Sequence, residues 1–117
     1  MSTPKYASIN GEIVAWENAN VHVASAAFKF GTAVFEGLRG YWNSDDKEMY
    51  LFRMQEHMQR FEFSQRFMRF DEIFSGQTVA QKTIELIHAN KFKGENLHIM
   101  TTAYVSGMGG PGVCGPI

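Results

Sequence analysis

Short apolar runs separated by polar turns dominate the first half of the chain. Residues 5–9 and 12–16 flank Asn10 and Gly11, and an Asn-Gly pair accepts positive φ at both central positions of a tight turn. The pattern therefore predicts a two-residue β-hairpin. The same reasoning predicts a turn at residues 17–20, a short extended piece at 21–23, and a loop with room for one helical turn at 25–32. Two strands, at 34–42 and 48–53, flank a polar turn. A final long strand is predicted at 95–105.

Apolar residues recur at helical spacing in the second half of the chain. Residues 54–68 carry them three and four positions apart, which predicts an amphipathic helix. A second helix is predicted over residues 77–90, with Ser75 as its N-cap and Asn90 at its end. The glycine-rich stretch after residue 105 cannot form a regular element. We expect residues 107–117 to form a flexible loop rich in Gly and Pro.

The composition indicates a globular chain of one small domain, or part of a larger one. Its 117 residues are 44% hydrophobic and 20% charged. Eleven basic residues balance twelve acidic ones, so charge gives no reason to expect nucleic acid or an anionic membrane as partner. Cys114 is the only cysteine, which excludes an internal disulfide and suits a reducing compartment. With no apolar run of about 20 residues, we expect a soluble, cytoplasmic protein.

Large aromatic side chains are unusually abundant for so short a chain. Phe, Trp and Tyr make up 14% of the residues, and ten of them are Phe. This surplus indicates either a Phe-rich core or apolar surface that meets another domain, another subunit or a ligand. The sequence leaves both interpretations open.

Arg60 is the residue whose position most suggests a ligand. It lies one helical turn after His57 and directly before Phe61, at the border of the apolar stripe of its helix. A partly desolvated guanidinium needs an anionic partner, and a phosphate or carboxylate matches its planar donors. The alternative is an ion pair with Glu56 or Glu62. His57 is expected to be a hydrogen-bonded structural histidine, and the four scattered histidines predict no metal site.

Two stretches resemble the branched-chain aminotransferases, which are pyridoxal-phosphate enzymes of fold-type IV. They are the run from Phe30 through Phe35-Glu36-Gly37 to Tyr41, and the helix that contains Glu56-His57 and Arg60. The likeness extends from about Ile9 to Ser106. It implies an α+β fold, in which a small, mostly antiparallel sheet with two packed helices forms the amino-terminal domain of a two-domain enzyme. Residues 1–106 would be this domain, in incomplete form.

The resemblance also implies roles for individual residues. The residue that matches Arg60 binds the cofactor phosphate in that family. The expected substrate pocket comprises Phe30, Phe35, Gly37, Arg39, His98, Met100 and Met108. Phe30 replaces a frequent Tyr, and His98 and Met100 replace a Tyr and an Arg that hold the substrate carboxylate in some members. Recognition of the carboxylate is therefore an open question.

The family's Schiff-base lysine has no counterpart among the lysines of this chain, because that residue belongs to a second domain. The resemblance implies an amino-terminal part of a transaminase that passes amino groups from Leu, Ile or Val to 2-oxoglutarate with pyridoxal 5′-phosphate. No catalytic residue is expected in the chain, which should be inactive alone. The expected partners are amino and 2-oxo acids, the missing carboxy-terminal domain, and further copies in a homodimer or higher oligomer.

Two alternative hypotheses of function compete with the branched-chain aminotransferase. A degenerate, non-catalytic binding or oligomerisation module would explain the absent lysine and Met100. A D-amino-acid transaminase or aminodeoxychorismate lyase of the same class would share most of the pattern, although Phe35-Glu36-Gly37 favours the branched-chain enzymes.

Overall fold

The computed structural model describes residues 3–108, which have the predicted α+β architecture with two antiparallel sheets. No helix among these residues is both long enough and apolar enough to cross a membrane. The elements in chain order are β1 (Tyr6–Ile9), β2 (Glu12–Ala15), a 3-10 helix (Trp16–Asn18), α1 (Ala26–Phe30), β3 (Ala33–Asn43), β4 (Glu48–Phe52), α2 (Met54–Phe67), α3 (Gly76–Asn90) and β5 (Leu97–Tyr104).

The first two strands form the predicted hairpin. Asn10 and Gly11 have φ values of 53° and 80°, as a two-residue turn with positive φ at both positions requires. The Asn90 side chain at the end of α3 holds the hairpin. Its Oδ1 accepts hydrogen bonds from the backbone N–H groups of Lys5 and Tyr6, both at 2.9 Å. The hairpin is therefore anchored to a helix that begins more than 60 residues later.

The second sheet has the strand order β4-β3-β5, and every pair is antiparallel. β5 pairs with β3 from Ala33 to Gly40, whereas β4 pairs only from Arg39 to Asn43. Within the described residues, the first half of β3 is therefore paired with a neighbouring strand on one edge only.

Side chains alternate across this sheet because successive residues of a strand point to opposite faces. On β3, the even-numbered residues Glu36, Leu38 and Gly40 are buried on the side of the helices. The other side, here called the open face, carries the odd-numbered residues of β3 and their cross-strand partners. Its members are Phe35, Gly37, Arg39, Tyr41, Tyr50, Phe52, His98, Met100 and Thr102.

Helices α2 and α3 match the two predicted helices closely. The Ser75 side chain accepts a hydrogen bond from Thr78 N, which confirms it as the N-cap of α3. Gln65, fully buried on α2, bonds both backbone groups of Phe74 and so fixes the connection between the helices. The sheet, α2 and α3 bury a small core that includes Leu38, Met58, Phe61 and Leu97.

The segment between the two sheets matches the prediction at its helical turn and differs from it at residues 21–23. Residues 26–30 form the short helix α1, because Ser25 caps its start and Gly31 ends it at a φ of 68°. Residues 21–23, predicted to be extended, belong to no strand because no neighbouring strand pairs with them. Gly107 O accepts a hydrogen bond from Ala26 N, so the chain after β5 returns to α1. Residues 109–117 of the predicted loop lie outside the described part.

Candidate functional site

Glu36, His57 and Arg60 form a polar cluster between β3 and α2. The Glu36 side chain is only 3% exposed, and its two oxygens accept hydrogen bonds from Nε and Nη2 of Arg60 at 2.5 and 2.7 Å. His57 Nδ1 lies 2.9 Å from the second oxygen. His57 and Arg60 share one side of α2 because they are three residues apart in a helix. The strand thus presents one carboxylate to two donors of the helix.

The electrostatics of the cluster favour its ionised form. The bidentate hydrogen bonds from Arg60 lower the pKa of Glu36 below its ordinary value of 4.5, although burial opposes the shift. The same bonds raise the pKa of Arg60 above its ordinary value. Glu36 is therefore a carboxylate at neutral pH, and it holds the guanidinium plane in a fixed orientation.

The Arg60 guanidinium keeps donors for a second anion. Of its five N–H groups, Glu36 engages two, and the side chain is 67% exposed. The alternative of an intrachain ion pair is confirmed, but Glu36 is the partner and not Glu56 or Glu62. Glu56 pairs instead with Arg53, and Glu62 accepts a hydrogen bond from Gly76 N. An oriented, accessible guanidinium with three N–H groups that no described residue engages suits a phosphate group.

The open face brings together most of the predicted substrate-pocket residues. Phe35 and Met100 are 63% and 58% exposed there, on adjacent strands. Arg39 pairs in register with His98, so two side chains able to donate hydrogen bonds to an anion lie side by side. The face therefore combines apolar surface with hydrogen-bond donors for an anion. An amino acid with an apolar side chain would contact the first through its side chain and the second through its carboxylate.

Gly37 leaves space that His98 partly occupies. A Cβ at position 37 would lie 3.1 Å from His98 Nε2. The missing side chain lets the imidazole lean over the strand, so the space expected for a ligand is shared with His98.

The other predicted residues are more dispersed. Arg60 reaches Glu36 from the helix side of the sheet, whereas Phe35, Gly37 and their neighbours face the opposite side. Phe30 lies at the end of α1 and Met108 beyond β5, both exposed. The predicted site residues therefore fall into two groups, one centred on Arg60 and one on the open face, which we call the two half-sites.

A cavity of about 630 Å³ lies elsewhere, between α3, β5 and the β1–β2 hairpin. Met100 is the only predicted site residue that lines it. The Thr101 hydroxyl, which also lines the cavity, is buried and has no hydrogen-bond partner among the described residues.

Comparison with known proteins gives this geometry a context. No protein-family model matches the chain. The curated branched-chain-amino-acid aminotransferase of Escherichia coli K12 is 41% identical over 109 residues, which cover 90% of this chain and 31% of the relative. The chain matches the amino-terminal portion of the branched-chain aminotransferases. It spans about a third of the length of the curated relatives.

Solved structures of branched-chain aminotransferases have the same fold. The enzyme of Thermobaculum terrenum in its PLP form superposes with a TM-score of 0.83 at 41% identity, over 97% of this chain and 36% of that one. The enzyme of Thermoproteus uzoniensis with norvaline gives 0.84 at 33% identity, over 92% of this chain and 35% of that one.

Glu36 is the residue of the site that sequence reasoning missed. Arg60 stood out because of its place beside an apolar stripe, but its partner lies 24 residues earlier on another element. The one available signal was an acidic residue among the apolar even-numbered positions of the predicted strand 34–42, where an unpaired charge would be costly.

Proposed function

We propose that this chain forms the amino-terminal part of a pyridoxal-phosphate-dependent branched-chain aminotransferase. The intact enzyme would transfer the amino group of Leu, Ile or Val to 2-oxoglutarate. The main support is the superposition on an aminotransferase in its PLP form at 41% identity over 97% of the chain. When bound, pyridoxal phosphate supplies the electron sink that amino-group transfer requires.

Arg60 would hold the cofactor phosphate. Glu36 fixes the plane of the guanidinium through Nε and Nη2, and the remaining N–H groups are accessible to a phosphate. The Glu36 carboxylate accepts hydrogen bonds from both Arg60 and His57. The N–H groups of Arg60 that Glu36 does not engage can therefore bind a further anion. Orientation before binding lowers the entropy lost when the phosphate is held.

The open face would contact the substrate. Phe35 and Met100 offer apolar surface for a branched side chain, and Gly37 leaves room above the strand. Arg39 and His98 would donate hydrogen bonds to a substrate carboxylate, in place of the Tyr and Arg that the family likeness leads one to expect. Phe30, just before β3, and Met108, just after β5, would extend the apolar wall at one end of the face, where Ala33 pairs with Tyr104.

The first half of β3 lies where the two half-sites approach each other. It has no paired strand on one margin among residues 3–108, and Glu36 and Phe35 are neighbours on it with opposite orientations. On the helix side of this edge Arg60 would hold the cofactor phosphate, and on the opposite side the open-face residues would contact the substrate.

The remaining parts of the enzyme would come from outside this chain. Residues 1–106 would form the small domain and residues 107–117 a loop, while a second domain would supply the lysine that binds the cofactor covalently. Such a lysine acts as nucleophile and proton carrier in transamination. We propose a cytoplasmic enzyme that assembles as a homodimer or a higher oligomer.

Expression of the complete reading frame tests this function. The purified protein, supplied with pyridoxal phosphate, is expected to convert L-leucine, L-isoleucine or L-valine with 2-oxoglutarate into the corresponding 2-oxo acids and glutamate. D-alanine and aminodeoxychorismate serve as comparison substrates. Turnover of these in preference to the branched-chain amino acids, or no turnover in a protein that binds the cofactor, would contradict the proposal.

A further inference from the structure

A groove of about 670 Å³ lies between the β3–β4 hairpin and the C-terminal half of α3. It opens on the helix side of the sheet, whereas the proposed substrate residues lie on the open face. Its apolar floor comprises Trp42, Met49, Leu51, Ile84, Ile87 and Phe92. Lys47, Lys91 and Lys93 line the groove with His88, and Glu48 is the one carboxylate among the lining residues.

The three lysines give the groove an excess of positive charge. None of them forms an ion pair within the part of the chain that the structure describes. They come from different segments, namely the β3–β4 turn, the end of α3 and the stretch that follows it. The helix dipole favours a cation at the C-terminus of α3, which explains Lys91 but neither Lys47 nor Lys93.

Two of these lysines have positive φ values, as do Arg53 and Arg69 outside the groove, so this conformation is not by itself specific to the groove. Lys47 has a φ of 55° in the hairpin turn, and Lys91 has a φ of 56° as the C-cap of α3. Gly and Asn are the usual residues at such left-handed positions, because other side chains destabilise them. What is particular to Lys47 and Lys91 is that both line the same apolar groove, where they place two cations side by side.

We propose that this groove binds a small amphipathic anion, with its apolar body on the floor and its carboxylate or phosphate between the lysines. The volume lies within the range of small-molecule sites, which are mostly apolar with a few polar groups that fix orientation. Charge and apolar surface lie at the same place, so neither an inorganic anion nor an uncharged apolar molecule would satisfy both. The site is separate from the proposed cofactor and substrate half-sites.

Calorimetric titration of the full protein with octanoate, octyl phosphate and octanol tests this proposal. The two anions are expected to bind and the uncharged alcohol to bind at least tenfold more weakly, because only the anions engage the lysines. Comparison of octanoate with octyl phosphate identifies the preferred head group. Raising the salt concentration should weaken binding of the anions, since screening acts on exposed charges.

A triple variant, Lys47→Gln with Lys91→Gln and Lys93→Gln, is expected to bind the preferred anion at least tenfold more weakly. The matched control replaces Lys29, Lys82 and Arg66 by Gln, an equal change of charge at residues that do not line the groove, and should retain affinity. Equal affinity in both variants, or octanol that binds as tightly as octanoate, would overturn the proposal. If the triple variant does not fold, the unaltered protein decides the question: octanoate affinity that does not change with salt concentration would also overturn the proposal.

Discussion

Glu36 determines what Arg60 can do. A lone arginine at 67% exposure would sample many rotamers, and ordering it around a ligand would cost conformational entropy. The buried carboxylate removes much of that freedom in advance through two parallel hydrogen bonds. The carboxylate is in turn satisfied by His57, so the cluster leaves no unpaired charge inside the fold.

Replacement of Glu36 by Gln tests this cluster at the residue scale. We expect Glu36→Gln to lower the free energy of unfolding by about 1–3 kcal/mol at neutral pH, because a buried charge-assisted bond is lost. Urea unfolding measures this change. Glu56→Gln is the matched control on α2, since its partner Arg53 lies 3.7 Å away in an exposed pair that contributes little.

The same variant has a defined pH dependence. Because the folded state lowers the pKa of Glu36, the ion pair stabilises the protein fully above pH 4.5 and loses this contribution as the pH falls through the lowered value. The stability difference between Glu36→Gln and the unaltered protein should therefore shrink in acid. A difference that stays constant from neutral pH into this acid range would contradict the account.

The sequence predicted two members of this cluster, Arg60 and His57, but not the third. Arg60 and His57 share a helix, so their spacing alone places them on one side. Their partner requires the long-range packing of α2 on β3, which no local pattern encodes. Glu56 and Glu62 were the local candidates for Arg60, and tertiary contacts assign them other partners.

At the scale of elements, α2 and α3 approach each other closely at Gly76. Gly76, the first residue of α3, is buried against the backbone of Met58, and a Cβ at position 76 would lie 2.8 Å from Met58 Cβ. Glu62 accepts a hydrogen bond from Gly76 N and holds the start of α3 in place. The position of α2, and with it Arg60, therefore depends on a glycine in another helix.

Gly76→Ala is expected to destabilise the protein by about 1–3 kcal/mol, because the added methyl group overlaps atoms that a packed backbone cannot move freely. Thermal unfolding measures the loss. Gln77→Ala, at the next and exposed position of α3, is the control and should change stability little. Similar stability in the two variants would show that the close contact is absent.

Elements with strong local signals were predictable from the sequence, and those that depend on neighbours were not. The Asn10-Gly11 pair marks the hairpin turn, the helical spacing of apolar residues marks α2 and α3, and Ser75 marks the start of α3. Helix α1 has five residues, too few to show a period, and only Ser25 and Gly31 mark its ends. The division into two sheets was not evident, since strand pairing depends on tertiary packing.

At the scale of the whole molecule, the aromatic surplus lies mainly on the surface. Six of the ten Phe residues are exposed, and Phe61 is the Phe in the buried core. Exposed aromatic residues on the open face, including Phe35, Tyr41, Tyr50 and Phe52, are characteristic of surface that another part of an assembly covers. The structure therefore favours the second interpretation of the surplus over a Phe-rich core.

Nitration of tyrosine by tetranitromethane measures this covering. Tyr41 and Tyr50 are expected to react readily in the isolated 117-residue chain and several-fold more slowly in the intact enzyme, with modification located by mass spectrometry. Because Tyr50 donates a hydrogen bond to Asp46, Tyr41 is the cleaner reporter. Equal reactivity of Tyr41 in both proteins would show that the open face stays uncovered.

The most direct test of the central claim is the affinity of the intact enzyme for pyridoxal phosphate after Arg60→Ala, followed by the cofactor's absorbance during titration. Arg66→Ala, an exposed arginine on the same helix, is the matched control. We predict a roughly ten- to hundredfold loss of affinity for Arg60→Ala, as expected for a charged phosphate contact, and none for the control. Unchanged affinity in Arg60→Ala would contradict the assignment of Arg60 to the cofactor phosphate.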